Sequence, residues 1–183
     1  MASGVTRVIE RCDAAIETEV LDLSECQLIQ IPDAVFHLMR NTTVKICNIS
    51  FNVITKIPPK LGSKFSTLTE LIIANNKISK LPEELSELQE LVKLDISFNT
   101  FVSVPRVIYS LQKLKEINAE KNYIIDVDSV NLAEINKSLT LVNLKQNPLS
   151  PASHESLSSI TSITILLTPR EIEDWEKWSE ELK

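Results

Sequence analysis

Glycine is almost missing from these 183 residues: only Gly4 and Gly62 occur, where average usage would supply about 13. Two glycines this far apart cannot build a phosphate-cradling loop. Histidine is equally scarce. His37 and His154 are too few for a three-histidine metal site and too far apart for the paired histidines of a zinc module. Cys12, Cys26 and Cys47 are odd in number and lack C-x-x-C spacing, so free thiols in a reducing compartment are expected rather than a disulfide framework. No stretch approaches the roughly 18 apolar residues of a membrane span, and MASGVTRVIERCDAAIE at the start has no apolar core of a secretory signal. These absences predict a cytoplasmic chain without membrane contact. The sequons at Asn41, Asn48 and Asn136 are accordingly read as chance triplets.

Basic residues are also in the minority. Nineteen Lys and Arg face 25 Asp and Glu, a net charge of -6, the wrong sign for life on phosphate backbones. No nucleic-acid partner is expected. Catalytic patterns are missing as well: there is neither a G-x-S-x-G elbow nor an H-E-x-x-H helix. The sequence therefore predicts no enzyme, no cofactor and no metal. What remains, 43% hydrophobic and 24% charged, is the make-up of one globular unit able to bury roughly 70% of its unfolded surface.

Self-similarity supplies the positive evidence. LDLSECQLIQIP, CNISFNVITKIP, LIIANNKISKLP, LDISFNTFVSVP, INAEKNYIIDVD and VNLKQNPLS align on one template, L-x-L-x-x-N-x-L-x-x-L-P. The asparagine column reads Cys26, Asn52, Asn76, Asn99, Asn122 and Asn147, with steps of 26, 24, 23, 23 and 25 by subtraction. Six matches in register resemble the leucine-rich repeat family over roughly residues 18–150. The resemblance implies an α/β solenoid, a horseshoe with a parallel concave sheet, short convex helical turns, and capping helices at both ends. It also implies that the asparagines form a ladder of buried carboxamides bonded to backbone groups of adjacent coils, with Cys26 closing the series as a structural residue.

The columns carry their own physical reading. Apolar pairs such as Leu21 with Leu23, Cys47 with Ile49 and Leu71 with Ile73 alternate with polar residues, the period of a strand buried on one face. Helical turns are expected at 33–40, 82–90, 105–113 and 129–138, entered through Pro32, Pro58, Pro82 and Pro105, because proline suits a first helical position. Asp128 stands in the fifth proline slot. Solenoids need their ends sealed. Over 1–17 a helix is predicted to turn Val5, Val8, Ile9, Cys12 and Ile16 inward. Residues 18–167 hold six full repeats and a degenerate seventh at 160–167. A second helix is expected over 168–183, opened by Thr168-Pro169 and carrying Ile172, Trp175, Trp178 and Leu182. His37 falls in a convex turn and His154 in the loop after the sixth coil, so the two share no site.

Function is then a question of surface. The expected role is a non-catalytic adaptor, a monomer, that binds an unidentified protein partner on the concave sheet. The candidate patch is Ile46, Asn48, Phe51, Glu70, Ile72, Lys93, Asp95 and Phe98, a small apolar centre with a polar rim. Against it stands a plain reading in which the phenylalanines pack between coils and the isoleucines are ordinary β-formers. The alternative function is a structural or regulatory subunit that docks through the acidic, tryptophan-bearing terminal helix.

Overall fold

The computed structural model describes residues 4–134 and 137–170 (the side chains of Val5 and Glu134 aside). Strands β1 (Val20–Asp22), β2 (Ile46–Asn48), β3 (Glu70–Ile72), β4 (Lys93–Asp95), β5 (Glu116–Asn118), β6 (Leu141–Asn143) and β7 (Thr164–Leu166) form one parallel sheet in sequence order. Register runs without a slip, Leu21 beside Cys47, Leu71, Leu94, Ile117, Val142 and Ile165. In β1 to β6 the central side chain is buried and its neighbours are turned to the concave side, as period-2 alternation requires. The next apolar residue of each template, among them Leu23, Ile49, Ile73 and Ile96, is fully buried. Its N–H continues the inter-coil bonding: Leu23 donates to the Asn48 carbonyl at 2.7 Å and Ile49 to that of Ile72 at 2.8 Å.

Helix α1 (Gly4–Thr18) lies against the first coil with Val8, Cys12 and Ala15 buried. Those positions are spaced i, i+4, i+7, one narrow stripe. Ile9 and Ile16, assigned inward from the sequence, are instead 45% and 57% exposed. Each follows a buried residue by one position, and one step of about 100° turns it off the stripe.

The convex side mixes two helix types. It consists of α2 (Asp33–Leu38), α3 (Lys60–Lys64), single 3₁₀ turns at Glu83–Glu87 and Arg106–Ser110, α4 (Ser129–Glu134) and α5 (Pro151–Ser158). Pro32, Pro82 and Pro105 occupy the cap position itself, with extended ψ of 142°, 147° and 128°, one residue earlier than the sequence suggested. In the second coil the cap falls on Pro59 rather than Pro58. Asp128 serves as a true cap: its Oδ1 accepts the Asn131 N–H at 3.0 Å, and a full α-turn follows. Two helices lie outside the segments expected from the sequence, α3, of which only the entry at Pro58 is signalled, and α5. Gly62 allows α3 to lie against the following turn. A Cβ there would stand 2.1 Å from the Glu84 carbonyl oxygen. Helix α5 replaces the loop expected around His154. Ser150 caps it by accepting from the Ser153 N–H, with Pro151 at the first position, the same Ser/Thr-Pro signal as at Thr168-Pro169.

At the far end β7 pairs with β6, and the Thr168 hydroxyl accepts the Gln146 N–H at 2.6 Å. The helix expected over 168–183, with Ile172, Trp175, Trp178 and Leu182, falls almost wholly outside the described residues. No helix among the described residues is long and apolar enough to cross a membrane.

Candidate protein-binding face

Behind the concave sheet, the asparagine column supplies its rigid backing. Asn99 shows the pattern: Nδ2 donates to the carbonyls of Ile96 and Ser97 in its own coil and of Ile73 in the preceding one, while Oδ1 accepts the Ile78 N–H. Asn52, Asn76, Asn122 and Asn147 repeat it, each bonding two carbonyls of its own coil, one carbonyl of the previous coil, and one N–H of the previous coil. Carboxamides suit this slot because a single side chain offers two donors and an acceptor. Cys26 occupies the first slot, buried. There Asn52 serves the Leu23 carbonyl, and Arg11 of α1 donates to the Ser24 carbonyl at 2.8 Å.

Two rows of side chains face the concavity. One runs Val20, Ile46, Glu70, Lys93, Glu116, Leu141, Thr164, and the other Asp22, Asn48, Ile72, Asp95, Asn118, Asn143, Leu166. In the first row Lys93 pairs with Glu116 at 2.9 Å. That hydrogen bond, and then the carboxylate charge, push the Lys93 ammonium above its ordinary range.

The second row is largely occupied with its own backbone. Oδ1 of Asp22, Asn48, Asp95, Asn118 and Asn143 accepts the N–H two residues on, from Ser24, Ser50, Ser97, Glu120 and Lys145. These Asx turns end the strands and start the bend of each coil. From β4 to β6 the row is also bonded sideways: Asn118 donates to Asp95 at 3.1 Å, and Asn143 donates to Asn118 at 3.1 Å and to Glu120 at 3.0 Å. Ile72 interrupts it. On β3, between Asn48 and Asp95, a half-buried isoleucine stands where a turn-forming amide or carboxylate stands in the five other coils.

The eight patch residues thus divide. Ile46, Asn48, Glu70, Ile72, Lys93 and Asp95 come together on three adjacent strands. Phe51 and Phe98 lie beyond the strand ends, in the column just before the ladder, where every residue has positive φ: Glu25, Phe51, Asn75, Phe98, Lys121 and Gln146, between 53° and 57°. That conformation throws both rings out of the coil rather than between coils, leaving them 58% and 39% exposed. A periodic pattern carries no information about the sign of φ, so the sequence alone groups both with the sheet.

Nothing nearby is arranged for catalysis. Cys47 is fully buried in the sheet's core face, and desolvation pushes its thiol up to about 12; Cys12 is raised by burial to about 11. A thiol held protonated is a poor nucleophile. His37 lies in the last turn of α2, and His154 Nε2 in α5 lies 3.1 Å from the Thr168 carbonyl oxygen. Among the described residues no group of three or more His, Cys, Asp or Glu could hold a metal ion.

The pattern described as Leucine rich repeat matches residues 42–101 and 66–124. Leucine-rich repeat-containing protein 20 of Mus musculus is 33% identical over 175 residues, 93% of this chain and 95% of that protein. The chain belongs to the leucine-rich repeat family. The Homo sapiens protein of the same name is 31% identical over 95 residues, covering 50% of this chain and 52% of its own length. Among solved structures, a leucine-rich repeat protein of Leptospira interrogans superimposes with a TM-score of 0.66 at 27% identity, over 76% of this chain and 34% of that one. Leucine-rich repeat domains are common protein–protein interaction modules, and the family and its fold are generally non-catalytic. Of three departures from the leucine-rich repeat template, Cys26 and Ala119 are buried in the stack and Asp128 is an exposed cap of α4, and the register passes all three intact.

Proposed function

We propose that this leucine-rich repeat protein is a monomeric, non-catalytic adaptor of the cytoplasm that binds a protein partner on the concave sheet of its second to fourth coils. The single observation that carries this reading is Ile72. From β1 to β6 its row is otherwise made of side chains engaged with their own loops, which are poor sources of binding energy because those bonds already exist. An isoleucine among them adds no turn bond, and burial of its exposed part against a partner would be favourable at about 25 cal/mol per Å². Ile46 extends the apolar centre on the neighbouring strand, while Asn48, Glu70, Lys93 and Asp95 form a rim of both charge signs that fixes orientation more than affinity. Phe51 and Phe98 flank this centre from the loop edge.

The test is proximity labelling in cells with the wild-type chain, Ile72→Asp and Lys93→Glu, alongside thermal unfolding of each purified protein. Ile72→Asp should remove a defined set of neighbours while unfolding stays close to wild type. Lys93→Glu should weaken the same set. An unchanged set in both variants would show that the concave sheet is not the binding face.

A further inference from the structure

A second surface lies beside the sheet, on the edge where the chain leaves the strands. After each ladder residue the chain runs extended, with one N–H per coil bonded to the preceding coil: Val53 to Leu28, Lys77 to Ile54, Thr100 to Ile78 and Tyr123 to Phe101, all at 2.9 Å. The residue two after the ladder position points inward, so the residues one and three after it point out, together with the positive-φ residue just before it. In coils two to five these columns hold twelve residues, none of them acidic, in a chain where carboxylates outnumber cations 25 to 19. The flanking Asp126 directs its carboxylate towards α5, where Oδ1 accepts from the hydroxyls of Ser150 and Ser153. Large apolar groups collect on this edge: Phe51, Phe98, Val102, Tyr123 and Ile125 are all exposed. The Lys121 ammonium sits 5.1 Å over the Phe98 ring. Over coils three to six the edge forms an open groove of about 750 Å³, with Asn75, Phe98, Lys121, Tyr123, Gln146 and Pro148 in its walls.

We propose that this lateral groove is a docking site for an extended acidic peptide segment, distinct from the concave sheet. Charge complementarity selects the occupant: a cationic, aromatic strip on an anionic protein attracts carboxylates that the rest of the surface repels. The geometry selects the conformation. Three steps of about 4.8 Å cover about 15 Å, the span of roughly five extended residues. An alternating segment lays apolar side chains between Phe98 and Tyr123 and carboxylates against Lys121 and Lys77. The carboxamides of Asn75 and Gln146 line the same groove and offer donors and acceptors to its backbone. Single-stranded RNA would also meet rings and cations here, but the net charge of -6 opposes a polyanion longer than the groove.

The probe is a short fluorescein-labelled peptide alternating glutamate with leucine, broken by one proline so that it stays extended, with a lysine-for-glutamate copy and an oligouridylate as controls. Fluorescence anisotropy should show saturable binding of the glutamate peptide, weakening with added salt and absent for the lysine copy. Lys121→Glu and Tyr123→Ser should each reduce affinity about tenfold, the loss expected for one anchor. Ile72→Asp should leave it unchanged, which separates this site from the concave one. Circular dichroism keeps the variants comparable, since Lys121 and Tyr123 are exposed and Ile72 is half-buried. No binding of the glutamate peptide, equal binding of the lysine copy, preference for the oligouridylate, or indifference to both groove variants would overturn the proposal.

Discussion

Arg11 donates through Nη1 to the Ser24 carbonyl at 2.8 Å, the carbonyl that in the next five coils receives its bond from the ladder asparagine. The equivalents are Ser50 with Asn52, Ala74 with Asn76, Ser97 with Asn99, Glu120 with Asn122, and Lys145 with Asn147. In the first coil Cys26 has no such donor to give, and α1 reaches across to provide one. The same guanidinium also donates to the Asp22 carbonyl at 2.9 Å and pairs with the Asp22 carboxylate at 3.2 Å.

Arg11→Ala should therefore destabilise the chain by about 1–3 kcal/mol, through carbonyls left without a donor. Asn99→Ala should cost a similar amount in the middle of the ladder. Asn99→Asp should cost at least as much, because it sets an oxygen against the three carbonyls that Nδ2 now serves. Urea unfolding followed by circular dichroism checks all three. An Arg11→Ala protein as stable as wild type would show that the first coil does not depend on α1 for this bond.

Gly62→Ala addresses the convex side. The added methyl would meet the Glu84 carbonyl oxygen at 2.1 Å and its carbon at 2.9 Å, both backbone atoms that cannot swing aside. Separating α3 from the Glu83–Glu87 turn should cost about 1–3 kcal/mol as overpacking, although alanine is the better helix former. Higher stability in the same urea titration would mean that the two turns do not press on each other.

Thiol chemistry gives a prediction with a defined pH window. With Cys12 raised to about 11 and Cys47 to about 12 from 9.0, both stay protonated in the fold while an unfolded chain ionises near pH 9. Below that pH neither state ionises and the contribution is fully present. Above it the unfolded state gains by losing protons, so stability should fall steadily from about pH 9 towards about 12. Alkylation at neutral pH should be slow in the native protein and rise steeply with urea through the unfolding transition. Rapid labelling of Cys47 in the native state would contradict its burial.

The spacing of the template was enough to locate the strands. Leu21, Cys47, Leu71, Leu94, Ile117 and Val142 are the central residues of β1 to β6, and 160–167 contains β7, because period-2 burial repeated at a constant interval leaves few other ways to cover the apolar residues. Capping chemistry is legible as a local signal, as Ser150-Pro151 at α5 shows. The binding face was harder. Position in a column does not reveal that Asn48 and Asp95 spend their oxygens on Ser50 and Ser97, nor that Ile72 interrupts that series of turns between them.

From the linear chain came the repeat, its register and the identity of what is buried, because hydrophobic spacing at a fixed interval is a local property that each coil states for itself. Only the folded solenoid decided that Arg11 stands in for a missing asparagine, that Phe98 leaves the sheet under a positive φ to meet Lys121, and that an acidic chain gathers twelve outward positions without a carboxylate along one edge of its second to fifth coils. Those relationships join residues from different coils, and stacking, which brings positions some 23 residues apart to within one strand spacing, is what creates them.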